Sequence, residues 1–203
     1  MTEKEPKSTY HKVNLRESLI TEAARMIQEE GVASVTLRGL GQRLDVSRTA
    51  PYRHFEDKTD LLCAVSEYGF TLFRQALETE RLSPGVRAIS RFQNMGRAYI
   101  HFALENTSYY SLMFREPTVV DHQTASLKAA GDAALNELKL ILEECQNEGL
   151  VAQENLDLQA MFVWSGMHGY CSLLLDKYQG EEGELSRMTE YMVSKVLQGV
   201  SKH

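Results

Sequence analysis

Only four prolines, Pro6, Pro51, Pro84 and Pro117, interrupt 203 residues, and between them apolar side chains recur at steps of three and four, with no sustained alternation. An α-helix repeats about every 3.6 residues and a strand every second one, so this spacing points to an all-α chain without a sheet. Leu15, Leu19, Ala23, Met26 and Ile27 form the inner stripe of a first helix that begins near Asn14 and stops at Gly31, a residue suited to helix ends. Thr36 is placed to cap a short second helix with Leu37, Leu40 and Leu44 turned inward. Asp45 and Val46 turn the chain, and Ser47 is placed to cap a third helix reaching about Phe55. Two short helices across a tight turn make a helix-turn-helix.

The third segment lies within "DVSRTAPYRHFEDKTD", residues 45–60. With Ser47 as cap, Pro51 falls in or just after the first helical turn, where a missing N–H costs little. Arg48, Thr49, Ala50, Tyr52, Arg53 and His54 then spread around the exposed half of a two-turn helix, whose front end supplies unpaired N–H groups for phosphate. Such an element fits the major groove, with Arg48 or Thr49 near base edges and Tyr52, His54 and Lys58 within reach of the backbone. Charge agrees: between Val32 and Lys58 the five cations Arg38, Arg43, Arg48, Arg53 and Lys58 outnumber three acids, whereas residues 61–203 hold 12 basic and 18 acidic residues. The net charge of −6 excludes an indiscriminate polyanion binder and confines any nucleic-acid contact to this local face.

The stretch "TLRGLGQRLDVSRTAPYRHFEDKTDLL" resembles the DNA-binding signature of TetR-type transcriptional regulators, over about residues 12–62. The resemblance implies that Arg48, Thr49 and Ala50 face bases and that Thr36, Arg38, Tyr52, His54 and Lys58 bind phosphates, with Ser47 and Arg53 on the same surface. It implies a homodimer on a near-palindromic double-stranded DNA operator. Pro51 departs from the leucine or isoleucine more often found there.

A fourth helix, about Lys58 to Glu80, carries Leu61, Val65, Tyr68 and Leu72 on one stripe before "RLSPGV" breaks the chain. The expected organisation is an N-terminal arm at 1–13, a DNA-binding unit at 14–60, the fourth helix as link at 58–80, and a second domain at 81–203. A fifth helix spans about 85–104; "ENTSYYSLMFREP" is a sixth, ended by Pro117; a seventh covers 121–147 and closes at Gly149; an eighth starts at Asp157; and a ninth follows. In the eighth, Met161, Trp164, His168, Cys171 and Leu175 share one stripe, and Ser165, Gly169 and Ser172 form another of small residues. Glycine inside a helix costs about 0.5–1 kcal/mol relative to alanine, so Gly166 and Gly169 mark a close approach by a partner helix.

The pattern from Trp164 to Gly169, with "YYSLMF" upstream, resembles the C-terminal domain of a TetR subgroup known for a Trp-His-Gly motif, over roughly residues 85–180. It implies dimerisation through the last two helices and a small-molecule pocket among the middle ones. Ser165, Gly169 and Ser172, with Met188, Met192 and Val196 of the ninth helix, are the expected dimer surface. Phe92, Met95, Tyr99, Phe102, Met113 and Phe114 supply aromatic and thioether walls for a pocket, with Trp164, Met167, His168 and Cys171. No arginine cluster accompanies them, so the expected effector is uncharged and mostly apolar. An aromatic and a histidine on an inward stripe, as Trp164 and His168 are, more often belong to a core than to a ligand site.

Other chemistry finds little support. There is no phosphate-cradling glycine loop, Gly-x-Ser-x-Gly elbow or carboxylate pair, so no catalytic residues or cofactor are expected, and the resemblance implies a regulator acting as a repressor. His101 and Glu105, four apart, with His122 or His168, leave a metal-responsive regulator or a helical-bundle enzyme as the alternative. Cys63, Cys145 and Cys171 are odd in number and scattered, which suits a reducing compartment and implies no structural zinc. No apolar run approaches the ~18 residues of a membrane span, and "MTEKEPKSTYHK" has no apolar stretch, so a cytoplasmic protein is expected.

Overall fold

Short polar side chains set where the helices begin. Thr36, Asp57, Thr124 and Asn155 each accept a hydrogen bond from the backbone N–H three residues on, satisfying a donor that the first turn leaves open. The computed structural model describes residues 15–178, 180 and 182–202; the expected arm at 1–13 and the start at Asn14 lie outside them. Among the described residues the helices are α1 Leu15–Glu30, α2 Leu37–Arg43, α3 Lys58–Arg81, α4 Ala88–Glu105, α5 Thr107–Arg115, α6 Pro117–Asp121, α7 Ala125–Asn147, α8 Leu156–Lys177 and α9 Glu182–Val200. They contain no β-strand, only an isolated bridge between Val151 and Ser201. None of these helices is long and apolar enough to cross a membrane.

Two boundaries differ from the sequence reading, each because of a proline. The expected two-turn helix from Ser47 to Phe55 is a turn followed by one turn of 3₁₀-helix, Pro51–Arg53. Pro51 has no N–H to give the Ser47 carbonyl, which accepts from Ala50 instead at 2.9 Å; Arg53 and His54 then continue the three-residue pattern onto Ala50 and Pro51. Pro117 does not end the α5 segment so much as open the separate helix α6, where it occupies the first turn. The next helix consequently starts at Ala125 behind its Thr124 cap, rather than at 121.

α3 is the spine. It packs on α1 and α5 and on α4 and α7, so one rigid rod of 24 residues touches the helix-turn-helix region and the C-terminal helices alike. Gly69 makes the α3–α5 crossing tight: a Cβ there would lie 2.8 Å from Met113 Sδ and 3.2 Å from Tyr109 Cβ. Near its far end, the buried Glu137 of α7 accepts from Arg81 Nε at 2.7 Å and from Arg74 at 3.5 Å, while Arg91 of α4 reaches Glu144 at 2.6 Å. A carboxylate this buried is tolerated because both of its oxygens meet guanidinium groups.

Candidate nucleic-acid interface and internal cavity

α2 ends in a Schellman turn: Val46 N–H donates to the Gly41 carbonyl at 2.9 Å and Asp45 N–H to Gln42 at 3.3 Å, with Asp45 at φ 51. Aspartate is among the few non-glycine residues that tolerate this left-handed conformation. The chain then doubles back so closely that a Cβ on Gly41 would lie 3.3 Å from the Pro51 ring. Pro51 is buried, filling the inner position of the short segment, and Phe55 follows it into the core. Outward from this anchor Ser47, Arg48, Thr49, Tyr52, Arg53 and His54 are all exposed, with Ala50 half-buried.

The predicted DNA-contacting residues divide by what already holds them. Arg38 and Arg48, with Gln42 and Asp45, line a polar cleft of about 270 Å³ between α2 and the turn. The Thr36 hydroxyl caps α2 by accepting from Gly39 N–H at 3.0 Å. Lys58 donates to the carbonyls of Val32 at 2.6 Å and Ala33 at 3.3 Å, which leaves one of its three N–H groups. Arg43, counted with the basic face by charge, turns the other way onto α1 and pairs with Glu22, Glu29 and Glu30.

The ten predicted pocket residues do not all line one cavity. Phe92, Met95, Tyr99, Trp164 and Met167 wall an internal, almost wholly apolar cavity of about 30 Å³. Its remaining lining, which sequence reasoning missed, is Leu77, Gly96, Leu138, Val163, Val193 and Val196. Gly96 was detectable as a glycine inside a helix: a Cβ there would stand 3.2 Å from Val193, so α4 and α9 cross at its backbone. Phe102 lies instead on an open groove between α3 and α4, beside His101 and Glu105. Met113 and Phe114 border a groove of about 240 Å³ near α6 and α7.

His168 and Cys171 belong to a polar node beside the cavity. Tyr110 Oη lies 2.8 Å from His168 Nδ1 and 3.2 Å from Tyr99 Oη, and the Phe114 ring packs on both His168 and Tyr110. Burial raises both phenols and pushes the Cys171 thiol up to about 12, so all three keep their protons. Burial, then the nearby Arg115, lowers His168 and favours the neutral ring. His101 and Glu105 gain no third ligand: among the described residues no three His, Cys, Asp or Glu side chains converge as a metal site.

The expected dimer surface is also redistributed. Ser165 and Gly169 are exposed, and nothing in the subunit lies within 4 Å of a Cβ added at Gly169. They share a stripe of α8 with Leu158, Met161, Phe162 and Leu173, which are 53–73% exposed; Ser172 is half-buried. Val196, expected on this surface, is turned inward to the cavity and only 6% exposed. Met192 meets Gly166 within the subunit, and Met188 borders a groove with Tyr191.

Residues 92–196 match the family described as Tetracyclin repressor-like, C-terminal domain, and residues 19–65 match that described as Bacterial regulatory proteins, tetR family. Over 198 residues the chain is 23% identical to YobS, an uncharacterized HTH-type transcriptional regulator of Bacillus subtilis, spanning 93% of this chain and 94% of that one. A structure of a protein with unknown function from a Rhodococcus species is similar at 26% identity and TM-score 0.82, covering 97% of this chain and 100% of that chain. The TetR family transcriptional regulator PfmR from Thermus thermophilus shares the fold at 18% identity and TM-score 0.66, covering 91% of this chain and 99% of that chain.

Proposed function

Since this chain belongs to the TetR family of bacterial regulatory proteins and is a DNA-binding transcriptional regulator, we propose that it works as an effector-released homodimeric repressor on a near-palindromic operator. Residues 14–60 read DNA, 81–203 bind the effector and the second subunit, and α3 joins the two. Arg48, Thr49 and Ala50 meet bases. Arg38, Tyr52, Arg53 and His54 meet phosphates, with Thr36 and Ser47 beside them and the remaining N–H of Lys58 directed to the same backbone. Two such reading segments would address major grooves about 34–36 Å apart.

The observation that carries the effector reading is Leu77, a cavity-wall residue that lies on the same helix as Lys58. A small uncharged, apolar molecule entering among α4, α7, α8 and α9 presses on α3 and re-aims the reading segment. Its leverage is its preference for one arrangement over the other, typically about 1–3 kcal/mol. The test uses an operator selected from random duplexes and a library of uncharged apolar compounds. Compounds that raise the melting temperature should weaken operator binding, and Trp164→Ala should abolish that response while the unliganded variant still binds operator. Stabilisation only by anions or metal ions would overturn the apolar-effector reading.

A further inference from the structure

Arg43 is the last residue of α2, five positions after Arg38 and therefore about 140° around the helix from it. That angle takes it off the face that carries Arg38. Its Nη1 donates to Glu29 at 2.9 Å and to Glu22 at 3.2 Å, and its Nη2 donates to Glu30. All three carboxylates stand on α1, two of them in its last turn, where the helix dipole is negative and where α1 has no cation of its own. Arg25 meets Glu22 at 2.8 Å and Glu29 at 3.5 Å, leaving Glu30 to Arg43. Arg25 thus bridges two of the three like charges from within α1, and only the guanidinium of Arg43, from the neighbouring helix, meets all three. The same guanidinium sits two residues before Asp45, the left-handed turn that aims the reading segment.

We propose that Arg43 is a positioning residue for DNA reading: by clasping Glu22, Glu29 and Glu30 it fixes the angle of α2, and with it residues 47–54, against α1, and it contacts no phosphate. This builds on the DNA-binding function alone and is independent of effector or assembly. A phosphate contact adds to affinity for every sequence and to the salt dependence, whereas a fixed angle matters only where base edges must be met.

The test titrates full-length protein with the selected operator and with a scrambled duplex over a salt series. Arg43→Ala should weaken operator binding about tenfold, on the order of the loss of a multi-partner ion cluster, with scrambled-duplex affinity and salt slope unchanged. Arg38→Ala should weaken both duplexes and reduce the slope by about one. Should Arg43→Ala fail to fold by circular dichroism, the Glu29→Gln/Glu30→Gln pair carries the same test at exposed positions. Positioning requires that pair to lower the operator-to-scrambled ratio. If it tightens binding to both duplexes by freeing Arg43 toward phosphate, or leaves the ratio unchanged, the proposal is overturned; so it is if Arg43→Ala lowers the slope by about one.

Discussion

Arg48 and Lys58 are both cations of the proposed reading face, yet only Lys58 is already tied to the protein, through the Val32 and Ala33 carbonyls. Arg48→Ala should therefore relax discrimination at one base position by about 1–3 kcal/mol and leave the fold unaffected. Lys58→Ala should weaken binding to all duplexes alike and also lower the melting temperature, since two carbonyls lose their donor. Duplex titrations at several salt concentrations, paired with melts, separate the two; equal behaviour would contradict the assignment. At His168 the relevant variable is pH. Burial, followed by Arg115, holds it below its ordinary 6.5, so the unfolded chain takes up a proton where the folded chain does not. The contribution is fully present above about 6.5 and is lost as pH falls from there toward the folded value. His168→Asn, which keeps an acceptor for Tyr110, should flatten the decline of melting temperature between neutral and mildly acidic pH; an unchanged decline would place its origin elsewhere.

α3 owes its role to a crossing as much as to its length. Gly69→Ala introduces a Cβ with no room between Met113 and Tyr109, and Tyr109 Cβ cannot swing away as the flexible Met113 can. Overpacking of this kind costs about 1–3 kcal/mol, measurable as a shift in the denaturation midpoint, and it should loosen α5 from α3. Signals confined to one element were the legible ones: the Thr36 cap, the Gly31 stop, and the start of α8 at Leu156, one residue before the expected Asp157. Pro51 was visible, but the collapse of its helix into 3₁₀ geometry depends on the Ser47 carbonyl taking the nearer donor. Val196 shows a different limit. Periodicity identifies a stripe on α9, yet a helix lying between its own core and a second surface has two faces that want apolar residues, and the period does not say which is which. The cavity was half legible for the same reason: five of its walls came from one aromatic and thioether pattern, while Leu77, Leu138 and Val193 join them only through the way helices meet.

The assembled molecule leaves Leu158, Met161, Phe162 and Leu173 uncovered along α8 around Ser165 and Gly169. Because nothing within the subunit approaches Gly169, leucine there fits the isolated chain and should leave its circular dichroism unaltered while converting sedimentation from dimer to monomer. A folded Gly169→Leu variant that still sediments as a dimer would move the interface off this stripe. The internal cavity, finally, has room for about one or two waters, far below the roughly 300 Å³ of an ordinary ligand pocket. The proposed effector would therefore need an expanded form of this cavity, and its apparent affinity would fall with the share of molecules in that form. Trimming a wall should make the expanded form common. Leu138→Ala is expected to bind apolar compounds more tightly than the parent and to let go of operator with no compound present, a constitutively induced regulator; unchanged affinity on both counts would place the effector site outside this cavity.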